Sequence, residues 1–503
     1  MKKNINRTLI TLLLLCTLLV QPSCGFIKWN NDGTAVSDTS AADTSAQDSI
    51  SDTVPSDSAA DTSAVTEPVD PSKDARGRLA SLPERDLSSS ALIIAVVDAN
   101  TVCPNFESTD AVIIARSDVR RAVEEKYNAI ILQNVTDAAS MLTAAKEAYN
   151  SDMYYADLIS IPQSQLGAFH AEGILANMNS LPFTDYTAEY YDQSINGSAR
   201  LGGIQFAVSG AANLNPDYLS CIYFNRTLAD QCGLEDVYTL VKEGKWTWDK
   251  LGELALTAKS ANSSVTGLGA FAQTAALVDL AASSQDIVYV SGTESSAPIV
   301  DFLGNAQAER AKKAVDTMYR LLFTDGTYSK TAGNDTRALF SSGTLLFTAD
   351  TLDYMTQISS GSVEWGILPM PKQDEAQNSY ISPLSADAPI FCALANTPSY
   401  ETSGLLLEAL NAAAHDYIAD VYMNDRIDYH LRDTQSVYML EYIIDGAASD
   451  FAHMFASGIK GLENASYKAI QNAVTTRSTL DQLYRNNKNA ANRALLAAVQ
   501  KYE

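Results

Sequence analysis

Four histidines, at 170, 415, 430 and 453, are the first residues to test for chemistry, since an imidazole binds metals and carries protons near neutral pH. They are scattered, and none makes a metal-ligand spacing. The chain has no HExxH, no GxSxG, no Walker loop and no GxGxxG. Cys103, Cys221, Cys232 and Cys392 form no CxxC and keep no regular spacing, which leaves neither a zinc site nor a dense disulfide framework. Cys221 and Cys232 either pair or remain free thiols. Sixty acids leave room for a catalytic carboxylate pair, but nothing in the sequence singles one out. Neither an enzyme, a metal nor a cofactor is expected. The chemistry left is that of binding.

Binding groups need elements to hold them. "ALIIAVVDAN", from Ala91, reads as a buried strand that ends in Asp98 and Asn100. Residues 116–173 then alternate helix, strand, helix, strand and helix, which argues for a parallel sheet covered on both faces. The same alternation recurs over 203–323, and "RALFSSGTLLFTADTLDYM" supplies a helix end, a strand and a helix. "VEWGILPMPK" is a strand closed by two prolines, and the chain after Leu405 is mostly helical. Two series of βα units, parted by the strand-like "GIQFAVSG", suit an α/β protein of two lobes with a crossing connection. Ligands of open α/β sheets lie beyond the carboxyl ends of strands. That rule selects Asp98, Asn100 and Asp350 at strand ends, and Asp387 before a strand, as ligand-binding candidates. The structural alternatives are a turn for Asp98 and Asn100 and a helix cap for Asp350.

The amino terminus reads as an address. Lys2, Lys3 and Arg7 precede an apolar run from Leu9 to Val20, too short to span a bilayer but right for a secretory leader. "QPSCG" follows, and Ser23-Cys24-Gly25 resembles the lipobox of bacterial lipoproteins, in which the cysteine is acylated and becomes the first residue; Gln21 departs from that pattern. Residues 1–23 are therefore expected to be a lipoprotein signal peptide, with Cys24 as the (palmitate-type) lipid anchor on the extracellular face of a bacterial membrane. Residues 24–86, rich in Ser, Thr, Ala and Asp, are expected to be a disordered linker reaching roughly 45 Å. The formal net charge of −25 repels phosphate backbones, and no nucleic-acid partner is expected. With 46% hydrophobic residues, 87–503 holds enough apolar mass for two domains.

"CIYFNRTLADQCGLEDVYTLVKEGKWTWDKLGELA", from Cys221, resembles the signature of family 1 extracellular solute-binding proteins, the lipoprotein receptors of ABC importers. "YADLISIPQSQLGAFHAEGILANMNSLP" and "WGILPMPKQDEAQNSYISP" agree with it. The resemblance implies a two-lobed periplasmic-binding-protein-like (type II-like) fold with mixed sheets and discontinuous lobes. Lobe one is expected at 88–204 and 334–360 plus the C-terminal helices, and lobe two at 213–322 and 378–451. Crossings are expected near 205–210, 323–333 and 368–377. It further implies a monomer that captures a small solute, expected to be an oligosaccharide, and delivers it to ABC permease subunits. A surface glycan hydrolase and a ligand sensor without an importer are the competing readings. Trp246 and Trp248 sit in the signature; Trp248 joins the ligand-binding candidates, although packing of the helix it opens is the alternative for both. Trp365 is expected in the core.

Overall fold

A computed structural model describes residues 78–102, 108–213, 216–304, 306–358, 363–431 and 433–502. Cys24, most of the expected linker and Cys103 lie outside the described residues. The fold reaches further toward the amino terminus than the expected boundary at 87. Leu79–Ser81 forms a 3₁₀ turn with Leu79 buried, and Lys126 pairs with Glu84 at 2.7 Å. Residues 78–86, expected in the linker, therefore belong to the fold, with Leu79 as their apolar anchor.

The aliphatic runs become strands, as expected. Eight strands build two four-stranded sheets: β1 Ser90–Val96, β2 Ala129–Val135, β3 Leu158–Pro162, β4 Ser220–Asn225, β5 Thr266–Ala270, β6 Leu345–Thr351, β7 Trp365–Pro369 and β8 Pro389–Cys392. The first sheet has the order β8-β3-β1-β2, with β1 parallel to β2 and β3 and β8 antiparallel to β3. The second has the order β7-β4-β6-β5, with β4 antiparallel to β6 and β7 and β5 parallel to β6. Both sheets are mixed. Local chemistry starts the helices between strands. Asp110 caps Ala111–Tyr127 by accepting from the N–H groups of Val112 and Ile113 at 2.9 and 3.1 Å. Asp137 caps Ala138–Asn150 through Ser140 N–H, and Thr247 caps Trp248–Ala261 through Lys250 N–H.

Strand pairing corrects the expected lobes. β6, placed by sequence in lobe one with 334–360, is a central strand of the second sheet, in register with Phe224 at Phe347 and Cys221 at Asp350. β8, placed in lobe two, pairs with β3 in the first sheet. No crossing occurs near 323–333, where Tyr328 bridges Leu268 of the second sheet. The chain passes between sheets on 206–219 and on 370–388, and these passages touch: Leu219 bridges Leu384, and Ser385 N–H donates to Tyr218 C=O at 2.8 Å. Pairing partners far apart in sequence decide sheet membership, and a strand's own pattern carries no record of them.

After β8 the helices alternate between lobes. Tyr400–Asp425 packs on Ala111–Tyr127 of the first lobe, and Thr434–Asp445 packs on β7 of the second. Phe451–Phe455 packs on Leu166–Glu172 of the first lobe, and Tyr467–Thr476 packs on Thr274–Ser284 of the second. Phe451–Phe455 sits close enough to need glycine on both sides: a Cβ on Gly167 would run into Phe455 C=O, and one on Gly458 into Gly167 C=O.

Candidate functional site

Between the two sheets lies a cleft of about 1310 Å³. Strand ends of both lobes open into it. Gln163 and Ser164 follow β3, Phe271 and Ala272 follow β5, and Thr351 and Asp353 close β6. The crossing segments form its floor with Tyr218 and 383–386, and Asp425, Arg426, His430, Asp450 and His453 come from the C-terminal helices.

Hydrogen bonds between backbone segments stiffen the floor. Gln163 Nε2 donates to Ser385 C=O at 2.7 Å, and its N–H donates to Ala388 C=O at 2.8 Å. Arg337 is fixed on all sides. Its Nε and Nη2 donate to the two oxygens of Asp350 at 2.8 and 2.9 Å, and Nη1 donates to Gln357 Oε1 at 2.9 Å. Its guanidinium lies 4.0 Å from the Phe271 ring centre and 4.5 Å from that of Tyr354. Phe271, 40% exposed, is thus an aromatic ring braced from behind by a cation. Arg426 makes a second fixed cation, donating from Nη2 to both oxygens of Asp217 at 2.9 and 3.1 Å and from Nη1 to Asp425 at 2.5 Å.

His453 spans the lobes. Its Nε2 meets Asp279 of Thr274–Ser284 at 2.8 Å, and its Nδ1 meets Asp450, the cap of its own helix, at 3.2 Å. The ring stacks on Tyr467 at 4.3 Å. Burial alone would push the imidazole down, but the Asp279 and Asp450 carboxylates outweigh it and hold the pKa at about 10, so His453 is a cation at neutral pH. His430, by contrast, is pushed down by burial and by Arg426, and is neutral there.

None of the five residues selected from sequence lines this cleft. Asp98 Oδ1 accepts from Asn100 N–H and Nδ2 at 3.0 and 3.2 Å, the local turn that was the alternative reading. Asn100 is buried. Asp350 points into the lobe, its side chain 1% exposed and tied to Arg337. Trp248 is fully buried, its Nε1 donating to Ser284 Oγ at 3.0 Å, and Trp246 likewise donates to Pro369 C=O at 2.9 Å. Trp365 is buried as expected. Asp387 is exposed beside the floor. Asp98 and Asp387 still act on the site from behind: after burial itself, their charges raise the Tyr218 hydroxyl, with Asp217 and Asp353 adding to them. Cys221, Cys232 and Cys392 are free thiols.

Positions just beyond strand ends do line the cleft, but not those selected from the sequence. Gln163, Phe271 and Asp353 all stand one or two positions beyond a strand, where the alternation of strand faces no longer directs the side chain inward. Arg426 and His453 carry no such signal, since helices distant in sequence deliver them.

Residues 156–390 match the family described as bacterial extracellular solute-binding protein. No curated protein matches the chain. Among solved structures, the chain is similar to the cyclic α-maltosyl-1,6-maltose binding protein of Arthrobacter globiformis, with TM-score 0.55 and 13% identity over 82% of this chain and 100% of that one. It is equally similar in fold to the galacto-N-biose-/lacto-N-biose I-binding protein of an ABC transporter of Bifidobacterium longum, with TM-score 0.55 and 10% identity over 82% and 98%. An ABC substrate-binding protein of Listeria monocytogenes, solved with cycloalternan, gives TM-score 0.51 and 10% identity over 81% and 99%.

Proposed function

We propose, on the match of residues 156–390 to the bacterial extracellular solute-binding family, that this chain captures an oligosaccharide between its lobes and delivers it to an ABC permease. The observation that carries this reading is the cleft, walled by strand ends of both sheets and floored by the crossing segments. Its volume of about 1310 Å³ exceeds the roughly 300–1,000 Å³ of ordinary small-molecule pockets and leaves room for several sugar rings. The solved structures of similar fold from Arthrobacter, Bifidobacterium and Listeria bind maltosyl-maltose, lacto-N-biose and cycloalternan. A ligand touching both walls favours the closed arrangement by its differential affinity for it, and lobe spacing then tells a permease that the receptor is loaded.

Phe271 is the platform in this reading, since sugar rings stack on aromatic faces and Arg337 holds this one still. Titration calorimetry over a panel of maltose-, lacto- and chito-oligosaccharides should find a binder, with no product released. Phe271→Ala should then weaken it roughly 5- to 150-fold, taking a stacked ring as worth about 1–3 kcal/mol. Apo stability should change little, because the ring is 40% exposed. Failure of every saccharide to bind overturns the reading; an unchanged affinity in Phe271→Ala removes the platform.

The family works outside the cell, and among the described residues no helix is long and apolar enough to cross a membrane. Cys24 is our anchor, joined to the fold by the Ser/Thr/Asp-rich tract. Mass spectrometry of the mature amino terminus should show acyl mass on Cys24, and a mature chain without it would mean a freely secreted receptor.

A further inference from the structure

Two large apolar side chains stand exposed inside the cleft. Among the described residues, Phe271 and Val288 line it while remaining 40% and 47% exposed. Apolar surface that a concave site leaves to water is surface that a ligand covers at a gain. Both residues belong to one wall of the second lobe, Phe271 just before the helix Thr274–Ser284 and Val288 just after it. Ala276, Leu280 and Ser283 line the cleft between them, and their spacing of four and then three puts them on one face of that helix. Asp279 shares the face, and His453 takes up its charge. A strip of mainly apolar surface thus joins Phe271 to Val288.

Val288 is held in place as Phe271 is at the other end. The helix stops at Gln285, which is fully buried; its Nε2 donates to Ala281 C=O at 2.8 Å, and its own C=O accepts from Arg310 Nη1 at 2.9 Å. Gln373, in the segment leaving β7, donates from Nε2 to Gln285 Oε1 at 3.2 Å, and Gln377 Nε2 donates to Ser284 C=O at 2.9 Å. Asp286 then turns the chain through the left-handed region at φ 57°. Ile287 and Tyr289 are buried, Tyr289 edge-on to Phe302 at 5.3 Å, while Val288 between them faces the cleft. Burial of its two neighbours secures the segment, so a polar side chain at 288 would serve the fold equally well.

The helix between the two contacts has 11 residues and is about 16 Å long. A sugar ring built of bonds of about 1.5 Å repeats at roughly 5 Å, so a disaccharide covers one end of the strip and a tetrasaccharide covers both. We propose that this wall measures length: the cleft selects linear oligosaccharides of about four rings or more, whose ends rest on Phe271 and on Val288. This rests on the cleft being the saccharide site and goes beyond it by naming a second contact residue and the chain length that reaches both. Sugar rings have C–H faces and hydroxyl edges. The strip suits the faces, and Gln163 and Ser164, which follow β3 of the first sheet, suit the edges.

The test uses the full chain and three size series in titration calorimetry: maltose to maltohexaose, chitobiose to chitohexaose, and lactose to lacto-N-hexaose. In a series that binds, affinity should climb about tenfold or more between the dimer and the tetramer, as the second apolar contact is covered. Val288→Asn should take back about three- to tenfold of the tetramer's affinity, the worth of a half-exposed valine newly buried, and leave the dimer's unchanged. Phe271→Ala should weaken dimer and tetramer alike. Because Val288 is exposed, its variant should melt with the parent. Val288→Thr keeps the branched shape and should shift tetramer affinity in the same direction, which preserves the test if the asparagine variant melts early. Equal affinity for dimer and tetramer overturns the length inference and leaves the saccharide reading standing. So does parental tetramer affinity in both Val288 variants. An equal loss for dimer and tetramer would put Val288 and Phe271 in one subsite, and overturns it too. If no member of any series binds, the proposed function itself falls and the length inference with it.

Discussion

Asp350→Ala is expected to destabilise the unliganded protein by about 3–5 kcal/mol, the usual cost of removing one partner from a buried ion pair. From sequence, this residue should face a wet cleft and support little packing. Instead its carboxylate, 1% exposed, accepts two parallel hydrogen bonds from Arg337 and a third, at 2.8 Å, from Thr351 N–H. Burial pushes the carboxyl up and the guanidinium opposes it, so either partner left alone is a desolvated charge. Truncation at 350 strands Arg337, which is itself 14% exposed and wedged between Phe271 and Tyr354. Asp350→Asn should lie between the parent and the alanine variant, because it keeps the shape and part of the hydrogen bonding. Urea unfolding without ligand measures this, and the saccharide affinity of whatever folds should fall together with stability, since Arg337 braces the Phe271 platform. A stability within about 0.5 kcal/mol of the parent, with affinity alone reduced, would return Asp350 to the cleft as a direct ligand contact.

Trp248→Ala should cost about 3–5 kcal/mol, the range for deleting a large buried aromatic. The indole is fully buried, and its Nε1 donates to Ser284 Oγ at 3.0 Å. Ser284 Oγ in turn donates toward Ala281 C=O and Pro371 C=O at 2.9 and 3.1 Å. One side chain thus ties the start of Trp248–Ala261 to the end of Thr274–Ser284 and to the segment leaving β7. Trp248→Phe keeps much of the volume and loses the donor, and should cost roughly 1–3 kcal/mol. Thermal unfolding ranks the three proteins, and affinity in the phenylalanine variant should stay close to parent because Trp248 reaches no cleft surface. A variant that folds with parental stability but no longer binds would reinstate the ligand role suggested by the tryptophan's place in the signature.

Both cases show where the sequence stops. Aliphatic runs such as "ALIIAVVD" had to be buried strands, because nothing else hides so many branched side chains in so short a stretch. The helix that opens at Trp248 needed a cap from Thr247 or Asp249, and Thr247 supplies it. The "EGKWTWDKL" stretch carried the family resemblance, and the βα alternation carried the fold class. Those properties are local, so one chain suffices to read them.

The site is not local. Asp350 and Asp353 are three residues apart, yet one seals a buried arginine and the other lines the cleft. What separates them is where β6 ends and which strands flank it, and its partners come from residues 220–225 and 266–270. Arg426 and His453 reach the cleft because helices late in the chain weave between lobes whose sheets closed earlier in the sequence. Composition already determined that the chain is acidic. Only the tertiary structure decided which carboxylates pair with a cation, as Asp350 does with Arg337 and Asp217 with Arg426, because pairing at 3–4 Å depends on contacts between segments that sequence keeps far apart.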